Sequence, residues 1–90
     1  MLSGGFRPIL LPDGTDLNTV TTLNTYAGRA TKTAAYIHCP IEDDIPFTLE
    51  VLPAGHNGQL LHRITTCTIG APKVIVRHLC DDVWGEWVVQ

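Results

Sequence analysis

The sequence predicts an all-β domain, and three observations predict it. Phe47-Thr48-Leu49-Glu50-Val51-Leu52 alternates without a fault, with Phe47, Leu49 and Val51 on one face and Thr48 and Glu50 on the other. Asn57-Gly58 is a hairpin signal between two β-like runs, because both residues tolerate the positive φ of a tight turn. No long stretch carries the 3.6-residue apolar period that a packed helix needs. Together these describe a meander of five to six short antiparallel strands.

Taken in order, residues 1–15 are rich in Pro and Gly (Gly4, Gly5, Pro8, Pro12, Gly14) and read as an irregular lead-in ahead of a β domain over residues 16–90. Asp13-Gly14-Thr15-Asp16 is a turn signal. A strand, or a short turn leading into a strand, is expected around residues 20–27, where Val20, Leu23 and Tyr26 stand among threonines that suit a pleated surface. Residues 28–35 read as a helical turn or a loop. Tyr36-Ile37-His38-Cys39 reads as a short strand that Pro40 stops.

The clearest strand follows, bracketed by Pro46 and Pro53. Residues 59–67 form its return partner, with Leu61, Arg63 and Thr65 on one side and Leu60, His62, Ile64 and Thr66 on the other. Ile69-Gly70-Ala71-Pro72 is a connection to a β-branched strand over residues 73–79. Asp81-Asp82 turns the chain, and residues 83–89 close the sheet.

Composition narrows the function classes. The chain has 90 residues, is 44% hydrophobic and 17% charged, and carries a net charge of −3. A domain this small buries a modest share of its surface and often completes its core against copies of itself. Its basic residues are scattered, with no cluster to neutralise a run of phosphates, so nucleic acid is not an expected partner. No stretch approaches the roughly 20 apolar residues of a membrane-spanning helix, so membrane insertion is not expected. Cys39, Cys67 and Cys80 match no zinc or redox spacing and read as reduced thiols.

Several stretches, in order, carry a resemblance. They are Leu11-Pro12-Asp13-Gly14-Thr15-Asp16-Leu17-Asn18-Thr19-Val20, Pro46-Phe47-Thr48-Leu49-Glu50-Val51-Leu52-Pro53, Gln59-Leu60-Leu61-His62-Arg63-Ile64, Val74-Ile75-Val76-Arg77 and Trp84-Gly85-Glu86-Trp87-Val88-Val89. In this succession the chain resembles the pyocin-knob module of R-type pyocin fibres and phage tail fibres, over roughly residues 12–90. The most specific parts are Asp16, Leu17, Asn18 and Thr19 after a Gly turn, and the terminal Trp84, Gly85 and Trp87. Family members often carry Pro or Gly before the first aromatic strand; Leu23-Asn24-Thr25-Tyr26 keeps the aromatic and lacks the Pro-Gly.

The resemblance implies a homotrimeric, non-catalytic domain of a virion appendage, made in the host cytoplasm, contacting other fibre proteins and a bacterial surface glycan or protein. A whole fibre is far longer, so it implies either a piece of one or a short stand-alone appendage. A purely structural connector or decoration protein and a small lectin-like domain are the alternatives.

Candidate chemistry is sparse. His38 and Cys39 are adjacent and point to opposite faces of a strand, whereas His78 and Cys80 share a face if the strand continues that far. Neither pair has the spacing of a four-ligand zinc site, and no cofactor is expected. A metal on the axis of a trimer would call for His-x-His, which is missing. Ser3, the only serine, lies in the lead-in, and no residue sits in a nucleophile elbow. No catalytic residue is therefore assigned. Trp84 and Trp87 lie three apart and are expected on opposite strand faces, one in the core and one available as a platform for a sugar or partner protein. Both also suit a core or subunit-contact role. Arg63 and Arg77 are expected to pair with Glu50 or Glu86 across the sheet.

Overall fold

The computed structural model describes residues 7–31, 35–41, 44–55, 58–68 and 70–90. It is nearly all-β, built on a single sheet in the order β1-β2-β3-β4-β5-β6, with β7 also pairing with β5. The strands are β1 (Ile9–Leu10), β2 (Asn24–Ala30), β3 (Ile45–Pro53), β4 (Leu60–Thr66), β5 (Val74–Cys80), β6 (Val83–Trp84) and β7 (Val88–Val89). All neighbours are antiparallel except β1, which lies parallel to β2. One turn of 3₁₀ helix, Leu17–Thr19, interrupts the approach to β2.

The period-2 pattern of the sequence sets the inner face. Tyr26 pairs with Leu49, Leu49 with Ile64 and Ile64 with Ile75, so one row of apolar side chains runs across four strands. Phe47, Val51 and Leu60 flank this row and are buried. A single sheet cannot cover its own apolar face. Here irregular chain covers it: Leu11, Leu17 and Val20 are buried from one side, and Tyr36, Cys39 and Ile41 pack against the same cluster. These two segments are tied together by a parallel bridge, in which Leu17 N–H donates to Ile37 O and Ile37 N–H donates to Thr15 O, both at 3.0 Å.

Several boundaries differ from the expectation. The lead-in contributes a strand at Ile9–Leu10 and a core residue, Leu11. β2 begins later and extends through Gly28-Arg29-Ala30, which were expected to be turn or loop. The reason is packing: a Cβ on Gly28 would lie 2.8 Å from Phe47 Cζ and 3.1 Å from the Tyr36 hydroxyl. Glycine is what lets the edge-to-face pair Tyr36–Phe47, with centroids 5.7 Å apart, press against this strand. The expected strand at residues 36–39 is reduced to the single bridge at Ile37. Pro46 and Pro53 fall inside β3, close to its ends, where a missing N–H disturbs the ladder least.

The turns follow their residues. Asp81 and Asp82 both have positive φ (52° and 64°) and join Cys80 to its partner Val83, the backbone signature of a two-residue type I′ hairpin. Of the Asn57-Gly58 signal, Asn57 lies outside the described residues; Gly58 has φ 78°, and Ala54 N–H closes the hairpin on Gln59 O at 3.0 Å. On the outer face, Arg63 reaches Glu50 through Nε (2.9 Å) and Nη2 (2.7 Å), as the sequence predicted for that pair.

A Gly28→Ala substitution is expected to lower stability by about 1–3 kcal/mol, because the Phe47 ring is buried and must shift to admit the methyl group. A fall in the urea midpoint with an unchanged m value would show it; an unchanged midpoint would mean that the aromatic pair repacks freely.

Candidate functional site

The inward positions of β4 and β5 are apolar with three exceptions, Thr66 at the end of β4 and the pair His62 and Arg77. His62 and Arg77 are cross-strand partners on the inner face and are 0% and 4% exposed. A buried guanidinium needs a partner or a cover. The C-terminal residues supply the cover. Arg77 Cζ lies 3.9 Å from the centroid of the Trp84 ring and 4.4 Å from that of Trp87. The His62 ring is 4.4 Å from Trp84 and 5.9 Å from Trp87, stacked on the latter. Aromatic faces attract the cation through their quadrupole, the more so away from water.

Trp84 and Trp87 were expected on opposite faces, and the structure corrects this. Trp84 pairs with Leu79 in β6, whereas Val88 pairs with Val76 in β7. The two registers differ by one residue, so Gly85, Glu86 and Trp87 stand opposite Arg77 and His78 alone. One extra residue on an edge strand is a β-bulge, and it reverses the alternation beyond it. Both indoles therefore turn inward. Gly85 N–H anchors the bulge by donating to His78 O at 2.8 Å. A Cβ at Gly85 would meet only that oxygen, at 3.7 Å, so its surroundings do not demand glycine.

The other signature stretch meets the same cluster. Asp16 caps the 3₁₀ turn: its Oδ1 accepts from Asn18 N–H at 2.9 Å, and its carbonyl accepts from the Thr19 hydroxyl at 2.7 Å. Leu17 inserts fully into the core. Val20 O, just past the turn, accepts from His62 Nε2 at 2.8 Å. Asp16 Oδ1 also lies 2.7 Å from His38 Nδ1, and His38 O accepts from Trp87 Nε1 at 3.0 Å. His38 holds this double contact from a left-handed backbone, φ 58°, unusual for a residue with a side chain. Asp16, Trp84 and Trp87 are thus parts of one network, joined through His38, His62 and Arg77; Asn18 and Thr19 attach to it through Asp16, while Leu17 sits in the core and Gly85 anchors the bulge on His78.

Electrostatics follow from burial. Desolvation pushes the Arg77 guanidinium down to about 10, partly offset by the charge of Asp16 and, in alkali, by the Cys39 thiolate, and it stays a cation at neutral pH. The hydrogen bond from His38, with help from Asn18 N–H, holds the Asp16 carboxyl below its ordinary value. Burial pushes the Cys39 thiol up. Arg77 Nε donates to His62 Nδ1 at 3.3 Å, whereas Arg77 Nη2 is buried with no partner among the described residues, as is Asn18 Oδ1.

Arg77 therefore does not form the surface pair with Glu50 or Glu86 that the strand pattern suggested; Arg63 takes Glu50. His62 and Arg77 were missed as cluster residues, although their inward parity was visible in the alternation. Among the described residues no group of three or more His, Cys, Asp or Glu is arranged to hold a metal. β5 does run to Cys80, so His78 and Cys80 share the outer face, where both are exposed. Among the described residues no helix is long and apolar enough to cross a membrane. Comparison with known proteins finds no matching family model, no matching curated protein and no matching solved structure.

Replacing Arg77 with Ala removes the cation beneath both indoles and strips His62 Nδ1 of its donor, an expected loss of about 2–4 kcal/mol. Glu50→Gln on the outer face should cost under about 1 kcal/mol, because that pair is water-exposed. Chemical denaturation of the two variants side by side checks the contrast. Equal losses would mean that the tryptophans do not depend on the buried cation.

Proposed function

We propose that this chain is a non-catalytic structural and adhesive module of a phage tail fibre or similar virion appendage, working as a homotrimer in contact with the bacterial surface. One observation carries the reading. The two stretches on which the pyocin-knob resemblance chiefly rests, Asp16 to Thr19 and Trp84 to Trp87, lie at opposite ends of the sequence and meet in one side-chain network. Motif pairs that arise by chance have no reason to bond to one and the same residue, here His38. This supports treating them as the two halves of one structural signature.

The outer face suits a contact between copies. Leu52, Leu61, Val74 and Val76 are only half-buried there, and Val83 and Val88 are exposed. Three copies multiply weak surface contacts through effective concentration, so such a module needs no deep pocket. The second reading, a connector without receptor contact, is favoured by a different fact: both tryptophans are partly buried and pack a ring face against Arg77 and His62.

Sedimentation equilibrium over a hundredfold dilution tests the assembly. A mass three times 9.8 kDa is expected; a dilution-independent monomer would rule the fibre module out. Labelled trimer is then mixed with bacterial cells and challenged with purified surface polysaccharide. Saturable binding that the polysaccharide displaces supports attachment, while a trimer that binds no cell supports the connector.

A further inference from the structure

The cluster that fastens the C-terminal edge contains a contact that a proton would invert. Val20 O can only accept, so His62 Nε2 carries the hydrogen of their 2.8 Å bond. His62 Nδ1 is then the lone-pair nitrogen, and it accepts from Arg77 Nε at 3.3 Å. We propose that His62 is an acid-operated latch: a proton on Nδ1 turns its contact with Arg77 into a meeting of two donors and two cations, and the segment 83–90, carrying Trp84 and Trp87, lifts off the sheet.

The placement of the latch decides what moves. Strands β2 to β5 are held by long, continuous ladders. Segment 83–90 is held by two-residue ladders on either side of the bulge, by Gly85 N–H on His78 O, by Gln90 N–H on Val74 O and by Trp87 Nε1 on His38 O. Val83, Val88 and Val89 on this segment are exposed and add little burial. An edge element held by such short ladders opens before the continuous strands beneath it, in a local equilibrium below the global one. It is also the element whose indoles keep water from the imidazole and the guanidinium.

The groups around His62 leave it as the responsive one. Among the described residues Arg77 is the charged side chain in contact with it; Val51 from β3, Val20 and both indoles are neutral. Asp16 and Cys39 act on Arg77 through space, and Asp16 is bonded to His38. Asp16, held below its ordinary value, stays ionised through mild acid. Glu86, on the bulge, is exposed to water.

Burial holds His62 down to about 4 against an ordinary 6.5, with Val20 opposing and Arg77 reinforcing the shift. The sign is that of a group whose folded value is depressed. The closed form has its full advantage above pH 6.5 and loses it as pH falls toward about 4. Each unit in which only the open form takes the proton shifts the equilibrium up to about tenfold, for a total on the order of a hundredfold.

Trp84 and Trp87 are the only tryptophans, so intrinsic fluorescence reads the latch directly. The wild-type chain is titrated from pH 8 to pH 4, alongside H62Q, whose amide can donate to Val20 O and accept from Arg77 Nε without titrating. Expected is a red shift in the wild type between about pH 6.5 and 4, with the far-ultraviolet β signal kept, and no shift in H62Q. H38Q should keep the transition. Should H62Q not fold, nitrogen-15 spectra of the wild type decide: His62 protonation must coincide with movement of both indole N–H signals. The proposal is overturned if H62Q shows the same transition, if the indoles move while His62 stays neutral, or if they do not move down to pH 4. It stands apart from the attachment reading, since a trimer that binds no cell can carry the latch.

Discussion

A guanidinium on the inner face of a sheet must be paired or covered, and in this chain it is mostly covered. Among the described residues Arg77 bonds no carboxylate; it donates through Nε to a neutral imidazole and lies against two indole faces. Removing an unpaired charge from water is expensive, and aromatic contact recovers part of that cost only where water is excluded. The need for cover explains why the last residues fold back over β5, why the edge strand carries a bulge and why His38 holds a left-handed backbone. Each places Trp84 or Trp87, or anchors it.

The bulge has a second consequence for the edge. An edge strand that continued in register would present a flat row of unpaired groups and turn one tryptophan outward. One inserted residue breaks the pairing into two short pieces and turns both rings toward the core. An edge less open to pairing with other chains and a covered cation come from the same local change. The segment that covers the cation is also held by much shorter ladders than β2 to β5, which is why a buried histidine beneath it can act on the edge without melting the sheet.

The proposed role in a virion appendage fits this distribution of chemistry. Polar groups, from the buried His62 to the exposed His38, tie the two ends of the domain together with Asp16 and Trp87. The outer face keeps apolar side chains around the Arg63–Glu50 pair, a mixture suited to contact between subunits. Such a division, with a cross-tied interior and a plain exterior, is what a small module needs if its work is to hold shape and to bind in several copies.

The all-β class, the central strands and the Asp81-Asp82 hairpin were legible because alternation and turn residues are local properties of the chain. The inward parity of His62 followed from Leu60, Ile64 and Thr66 around it. Arg77 sits on the same side as Ile75 and Leu79, but charge alone made it read as a surface residue. Gly28 read as loop because its reason, the approach of Phe47 and Tyr36, exists only once strands 47–52 and residue 36 are brought together. The direction of Trp87 read wrongly because it depends on a one-residue offset between Trp84–Leu79 and Val88–Val76, and register is a relation between two strands. By itself the sequence determined which segments pair and which side chains alternate. Only the tertiary structure decided where the alternation breaks, because a bulge is set by what lies beneath it, here the buried cation that both indoles cover.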